Sequence, residues 1–204
     1  MELIFRQTQL YRFLSYCNGI NLEKSVLDCG AGGNCPPLAL FQEYGYKTYG
    51  IEISDSQIGS AKAFAREHGI ELNISKGDIR TLPFENDSIS YIYSYNTIFH
   101  MKKCDIEKAV DEIKRVLSPG GICFINFISV YDCNYGQGEK VGEGEFLQSE
   151  GEEKVIHAYY DIEEAEAYFS NMKILLKETR ILERIYEGKK IKQGYIDYIV
   201  QKQA

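Results

Sequence analysis

The stretch VLDCGAGGN, residues 26–34, constrains the fold more than any other part of the chain. An apolar run ends at Asp28, and three glycines follow within the next five residues. Glycine permits a sharp backbone turn and lets the backbone approach a ligand closely. We therefore expect a strand that ends in a ligand-binding loop and leads into a helix.

Short runs rich in β-branched residues alternate with amphipathic stretches from residue 24 to residue 129. This alternation predicts βαβ units, and hence a doubly wound, mostly parallel α/β sheet with helices on both faces. The later stretches KILLKETRILERIYE and KQGYIDYIVQK predict an antiparallel C-terminal hairpin at one edge of the sheet.

Capping residues indicate where helices begin. Ser54 with Gln57, and Asp161 with Glu164, have the spacing of a capping box. Another helix is predicted after a capping Asp105, because apolar residues recur there at helical spacing.

Composition limits the partners and the location. The chain has 204 residues, of which 44% are hydrophobic, and a formal net charge of −7. This charge argues against a nucleic-acid partner, because such binding depends on Lys and Arg. Six cysteines lie without a CxxC pair, and no apolar run reaches membrane-spanning length. We expect a single domain over residues 1–204, in the cytoplasm, with no membrane contact.

Residues 130–157 differ in composition from the rest of the chain. They contain five glycines, many acids and interleaved tyrosines. Such a segment is typical of a surface excursion that carries function. We expect a mobile cover over the substrate side of the sheet.

Acidic residues end three successive predicted strands. Glu52 lies 24 residues after Asp28, and Asp78 follows the third strand. A carboxylate at the end of the second strand can accept hydrogen bonds from two ribose hydroxyls. Asp78 could accept from an adenine amino group while Ile79 packs on the ring. The expected ligand is therefore a nucleoside.

Two common phosphate-binding patterns are not met. A dinucleotide fingerprint needs a third glycine where this chain has Cys35, and a P-loop needs Lys with Ser or Thr after the glycines.

Six segments in order resemble the class I S-adenosylmethionine-dependent methyltransferase family, most closely its type 11 subgroup. They are VLDCGAG, YGIEIS, GDIRTLPFENDSIS, YIYSYNTIFHM, IKRVLSPGGICFINF and HAYYDIEEAEAYF. The resemblance implies a seven-stranded, Rossmann-like methyltransferase fold. It also implies a cofactor site for S-adenosylmethionine, with S-adenosylhomocysteine as product, formed by Asp28, Gly30, Ala31, Gly32, Glu52, Ile53, Asp78, Ile79 and Tyr95.

The chain departs from the family pattern at two positions. Asn34 replaces the third glycine of the GxGxG motif, although Asn tolerates positive φ better than most residues. Ser90 replaces an acid near the start of the fourth strand. Neither departure removes a carboxylate needed for cofactor binding.

Residues on the substrate side follow the fourth strand and lie in the late segments. His100 is a candidate general base, although a structural role is equally compatible with its position. His157, Tyr131 and Tyr159 are further candidates for contact with the acceptor. The acids are scattered along the sequence, so we expect no metal site.

These observations predict methyl transfer from S-adenosylmethionine to a small-molecule acceptor. One alternative is an NAD-dependent oxidoreductase, which shares the strand-end acid but is opposed by Cys35. Another is a non-catalytic protein that binds S-adenosylmethionine. The acceptor and the oligomeric state stay open, because fold does not determine them.

Overall fold

The computed structural model describes residues 8–151, 153–186 and 188–203. The helices are α1 (Thr8–Asn18), α2 (Leu38–Glu43), α3 (Asp55–His68), α4 (Lys103–Val116) and α5 (Ile162–Glu166), with short 3-10 helices at Ile98–His100 and Ala167–Phe169. The strands are β1 (Ser25–Cys29), β2 (Lys47–Glu52), β3 (Ile74–Lys76), β4 (Ile89–Ser94), β5 (Leu117–Ser129), β6 (Glu139–Gly142), β7 (Glu145–Glu150), β8 (Glu153–Tyr160), β9 (Lys173–Tyr186) and β10 (Lys189–Gln201).

Seven strands form the predicted sheet, in the order β3-β2-β1-β4-β5-β10-β9. Strands β1 to β5 are mutually parallel, and β10 runs antiparallel to both β5 and β9. The α/β fold and the C-terminal hairpin predicted from the sequence are confirmed. The strand order reverses between β1 and β4, and ligands of such sheets bind at this switch point.

Three further strands lie where the sequence indicated a surface excursion. Strands β6, β7 and β8 form an antiparallel ribbon. It joins the main sheet where Ile128 and Ser129 of β5 pair with Tyr159 and Tyr160 of β8. The sequence did not indicate these strands, because the segment is rich in glycine. Several of the glycines lie in the turns between the short strands.

Apolar side chains pack on both faces of the sheet. Along β5, Cys123, Ile125 and Phe127 face the cluster that includes α4 and α5. Ile122 and Phe124 face the cluster that includes α1 and α2. Successive strand residues point to opposite faces, so one strand supplies both cores. None of the helices in the described ranges has the length and apolarity needed to cross a bilayer.

The N-caps predicted at two helices are confirmed, although the N–H of Ser54 donates to Glu52 and not to Gln57 as in a full capping box, and the cap predicted at a third helix is wrong. The side chains of Ser54 and Asp161 accept from backbone N–H groups in the first turns of α3 and α5. Helix α4 begins at Lys103, so Asp105 lies inside its first turn. The carboxylate of Asp105 instead pairs with Lys108 at 2.9 Å and with Arg80 at 3.1 Å.

A buried ion pair joins the two strands of the C-terminal hairpin. Arg180 Nε lies 2.5 Å from Asp197 Oδ2, and the Asp197 side chain is 1% exposed. Burial raises the pKa of Asp197, and the guanidinium of Arg180 opposes that rise. Arg180 also lies over the ring of Tyr195, 4.9 Å from its centroid.

We predict that Arg180→Met lowers the free energy of unfolding by about 3–5 kcal/mol, because it leaves a buried carboxylate without its partner. Lys190→Met is the matched control, since its pair with Glu183 is exposed on the same hairpin. That change should cost less than about 1 kcal/mol. Equal losses in denaturant titrations would contradict a special role for the buried pair.

Candidate functional site

A crevice opens at the carboxyl ends of the parallel strands. One part, of about 520 Å³, is lined by the ends of β2 and β3 and by the segment after β4. A second part, of about 270 Å³, adds Asp28, Tyr93 and Tyr95. Gly30, Gly32, Asn96 and Thr97 line both parts. The crevice therefore lies at the switch point between β1 and β4.

The glycine loop folds back over the end of β2. The backbone N–H groups of Gly30 and Ala31 donate to the carbonyl oxygen of Ile51 at 2.9 and 3.1 Å. Gly30 has φ of +116°, and a Cβ there would lie 2.2 Å from Thr97 Oγ1. A Cβ at Gly32 would lie 2.8 Å from Glu52 Oε2. A side chain at either position would clash with its neighbour, so both positions require glycine.

Ala31, which was expected to contact the cofactor, lines neither part of the crevice. Its side chain is fully buried, and it occupies the space beside Gly50. Its N–H is already bound to Ile51. Ala31 therefore shapes the loop from behind.

Glu52 lies in the wall of the larger part of the crevice. Its Oε1 accepts from the backbone N–H of Ser54 at 2.8 Å. That hydrogen bond fixes the carboxylate and leaves acceptor capacity on Oε2, beside Gly32. Ile53 lines the same wall and is 62% exposed.

Asp28 is buried at the end of β1 and is 2% exposed. Burial raises the pKa of Asp28 to about 8, the neighbouring Tyr93 opposes the rise, and the charge of Glu52 adds to it. No cation from the described residues contributes. A buried acid without a cationic partner beside an open cavity is suited to a cationic ligand group.

Asp78 is held by a cation that the sequence reading missed. Arg80 donates to both carboxylate oxygens, with Nη2 2.5 Å from Oδ2 and Nε 3.0 Å from Oδ1. These hydrogen bonds hold the pKa of Asp78 below its usual range. Arg80 lines the crevice with Ile79 and Asp78. The sequence signal for this ion pair was the two-residue spacing of Asp78 and Arg80, which permits the two side chains to meet.

The segment after β4 supplies further lining residues that were not predicted. Asn96 has φ of +57°. Its N–H donates to Asn126 Oδ1, and Asn126 Nδ2 donates to Asn96 Oδ1, both at 2.7 Å. These two hydrogen bonds hold the loop in which Thr97 and Met101 line the crevice. Tyr95, which was expected to line the cofactor, is half-buried and lines the smaller part of the crevice.

The two histidines predicted for the substrate side lie together. Their ring centroids are 4.9 Å apart, and His100 also lines the larger part of the crevice. Burial, followed by the neighbouring His157, holds the pKa of His100 below its usual range, and Glu150 opposes this. The expected general base is thus a weaker base than a solvated histidine.

The two tyrosines predicted for the substrate side line none of the cavities identified in the described residues. Tyr159 is 1% exposed, and its hydroxyl donates to Gln148 Oε1 at 2.9 Å. Tyr131 is 49% exposed, with Lys192 Nζ 5.9 Å from its ring centroid. They are packing and surface residues, because β8 turns Tyr159 inward and Tyr131 follows the end of β5.

Residues 27–125 match the family described as a methyltransferase domain. This match supports the resemblance to class I S-adenosylmethionine-dependent methyltransferases that the motifs carry. Sterol 24-C-methyltransferase of Saccharomyces cerevisiae is 33% identical over 53% of this chain and 28% of its own length. A methyltransferase of Streptomyces halstedii is 32% identical over 55% of this chain and 39% of its own length.

The solved structures support the fold. An S-adenosylmethionine-dependent methyltransferase from Methanosarcina mazei superimposes with a TM-score of 0.74 at 22% identity, covering 93% of this chain and 97% of that one. The match to the curated relatives covers well under half of their length, whereas this structural match extends over nearly the whole of both chains.

We predict that Gly30→Val displaces the loop after β4, since the new side chain would overlap Thr97 and φ of +116° disfavours a branched residue. The expected result is loss of cofactor binding with a lower melting temperature. Gly59→Ala is the control, because nothing lies within 4 Å of the new Cβ on α3. A Gly30→Val protein that binds the cofactor normally would place the binding loop elsewhere.

Proposed function

We propose that this protein transfers a methyl group from S-adenosylmethionine to a small-molecule acceptor. The observation that carries the proposal is the convergence of the glycine loop, Asp28 and Glu52 on one crevice at the switch point of the sheet. The residues present fit the cofactor. The glycines leave room for close approach, Glu52 offers an acceptor for hydroxyls, and Asp28 offers a negative group for the cationic methionine end.

We expect the cofactor to lie in one orientation along the crevice. Glu52 and Ile53 would hold the ribose, and Asp78 with Ile79 would lie at the adenine. Asp28 and Tyr95 line the smaller part, which would take the methionine end. When bound, the cofactor supplies an activated methyl group on a sulfonium, which is a good leaving group. The remaining work for the chain is orientation and exclusion of water.

The acceptor would enter beside His100, at the far wall of the larger part of the crevice. Residues 130–157, which include β6, β7 and part of β8, would form its cover. The packing of Phe99, Ile128, Phe146 and Tyr159 into one cluster supports this proposal, because it would attach the cover beside the 3-10 helix that carries His100. A small molecule is favoured over nucleic acid because the net charge is −7.

The location and the domain count also stay proposals. We infer a cytoplasmic protein from the six cysteines, all of which are free thiols in the structure. We also propose that residues 1–204 form one domain.

Turnover of methyl-labelled S-adenosylmethionine in a metabolite extract tests the proposal. Label should move to a small molecule that mass spectrometry identifies, and the Gly30→Val protein should give none. Binding of the cofactor with no labelled product in any extract would instead favour the non-catalytic alternative. Reduction of NAD⁺ that this protein catalyses in the same extract would favour the oxidoreductase.

We predict that Glu52→Ala weakens S-adenosylmethionine binding by about 1.5–3 kcal/mol, the usual worth of hydrogen bonds to a charged acceptor. Glu52 is half-buried at the rim of the crevice, so the fold should persist. Calorimetry gives the affinity, and Glu71→Ala serves as control because that exposed residue lies outside the crevice. Equal affinities in the two variants would remove Glu52 from the site.

We predict a pH signature from Asp28. Its folded pKa of about 8 exceeds its ordinary value, so the native state holds a proton that the unfolded chain releases. Stability of the ligand-free protein should therefore fall as pH rises from about 4 to 8. A cation bound beside Asp28 expels the proton, so affinity should rise by up to about tenfold per pH unit below pH 8.

Asp28→Asn separates this effect from ionisation of the cofactor itself. The variant should lose the fall in stability and should show a shallower rise of S-adenosylmethionine affinity with pH. Melting temperatures and calorimetry between pH 5 and 8 provide both measurements. Identical pH profiles in wild type and variant would show that Asp28 does not titrate with ligand binding.

A further inference from the structure

Three side chains that are distant in sequence meet at the acceptor side of the crevice. His100 ends the 3-10 helix after β4, Glu150 ends β7, and His157 lies within β8. One nitrogen or oxygen atom from each lies within 4.8 Å of the others. Glu150 Oε1 is 3.0 Å from His157 Nε2 and 4.0 Å from His100 Nε2. The fold thus brings together a cluster of side chains that the sequence pattern does not predict.

The burial of His157 argues against a purely structural role. Its side chain is 8% exposed. Buried histidines usually find hydrogen-bond partners for both ring nitrogens. Here Nε2 faces Glu150, whereas Nδ1 has no partner in the described part of the chain. The contact with Glu150 thus directs Nε2 of His157 toward the cluster, and the ring makes no second hydrogen bond within the described ranges that would assign it to a packing network.

The donor set matches that of known metal centres. Two imidazoles and one carboxylate hold zinc in catalytic sites that keep an open position, and the same set holds iron(II) in oxygenases. In a tetrahedral zinc site neighbouring ligand atoms lie about 3.3 Å apart, given bonds of about 2.0–2.1 Å. The separations of 3.0 and 4.0 Å between Glu150 and the two histidines lie within 1 Å of this value, and all three ligand atoms lie within 4.8 Å of one another.

We propose that His100, Glu150 and His157 bind one divalent transition-metal ion, with zinc as the first choice, and leave at least one coordination position open. His100 lines the larger part of the crevice, whereas Glu150 and His157 line a neighbouring cavity of about 340 Å³. The open position would face the acceptor from the His100 side of the site. This second statement rests on the proposed methyl transfer. It specifies the acceptor class as a hydroxyl or thiol compound. The metal would bind its oxygen or sulfur in ionised form, and the proton would pass to water.

Zinc titration of chelator-treated protein tests the site directly. We expect one zinc ion per chain by elemental analysis, with affinity measured by competition against a chromogenic chelator. His100→Gln, Glu150→Gln and His157→Gln should each weaken zinc binding by at least about tenfold. His68→Gln is the matched control, because this third histidine lies on α3 with its Nδ1 2.9 Å from Phe64 O.

Cobalt(II) provides a spectroscopic check that a structural role would not affect. The cobalt-loaded wild type should show visible absorption typical of a four-coordinate site, and Glu150→Gln should lose it. Glu150 is half exposed, so this variant is expected to fold even if the buried His157 variant does not. Melting temperatures of all four variants accompany the titrations.

The outcomes separate the metal site from the proposed function. Wild-type binding no stronger than that of the three ligand variants would overturn the site. So would zinc binding that is lost in His68→Gln. Glu150 lies outside the cofactor crevice, so Glu150→Gln should keep its S-adenosylmethionine affinity. Zinc binding without cofactor binding would sink the methyl transfer proposal alone, and turnover unaffected by metal removal would overturn the acceptor role of the ion.

Discussion

The contact between the glycine loop and the end of β2 is the constraint on which the site depends. Two backbone N–H groups, from Gly30 and Ala31, share the carbonyl oxygen of Ile51. Thr97 fills the space that a side chain on Gly30 would take. Glu52 lies against Gly32 in the same manner. The ends of β1, β2 and β4 are thereby held in contact. The hydrogen-bond acceptors that line the crevice are therefore fixed before any ligand binds.

Two carboxylates of this crevice have opposite electrostatic environments. Asp28 is buried without a cation from the described residues, and burial raises its pKa to about 8. Asp78 is paired with Arg80, which lowers its pKa. A positively charged ligand group is therefore stabilised more at Asp28, whose carboxylate has no cationic partner among the described residues once it ionises, than at Asp78. This asymmetry gives the crevice a direction, and it agrees with a cofactor that is cationic at one end.

The sequence was most informative where function follows from strand position. Asp28 and Glu52 were predictable because parallel strands bring their carboxyl ends to one edge. Arg80 and Thr97 were not, since their roles depend on how loops pack after those ends. The cluster of His100, Glu150 and His157 was out of reach, because it requires β7 and β8 to pair and β8 to join β5. The predicted cap at Asp105 failed because Arg80, across the loop, offered an ion pair.

Paired calorimetric titrations with S-adenosylmethionine and with NAD⁺ show which of the two cofactors the crevice binds. Both ligands carry an adenosine ribose that Glu52 could hold, but only S-adenosylmethionine presents a cationic amino acid end to Asp28. We predict binding of one S-adenosylmethionine per chain and no measurable binding of NAD⁺ under the same conditions. Saturable binding of NAD⁺ without binding of S-adenosylmethionine would contradict it.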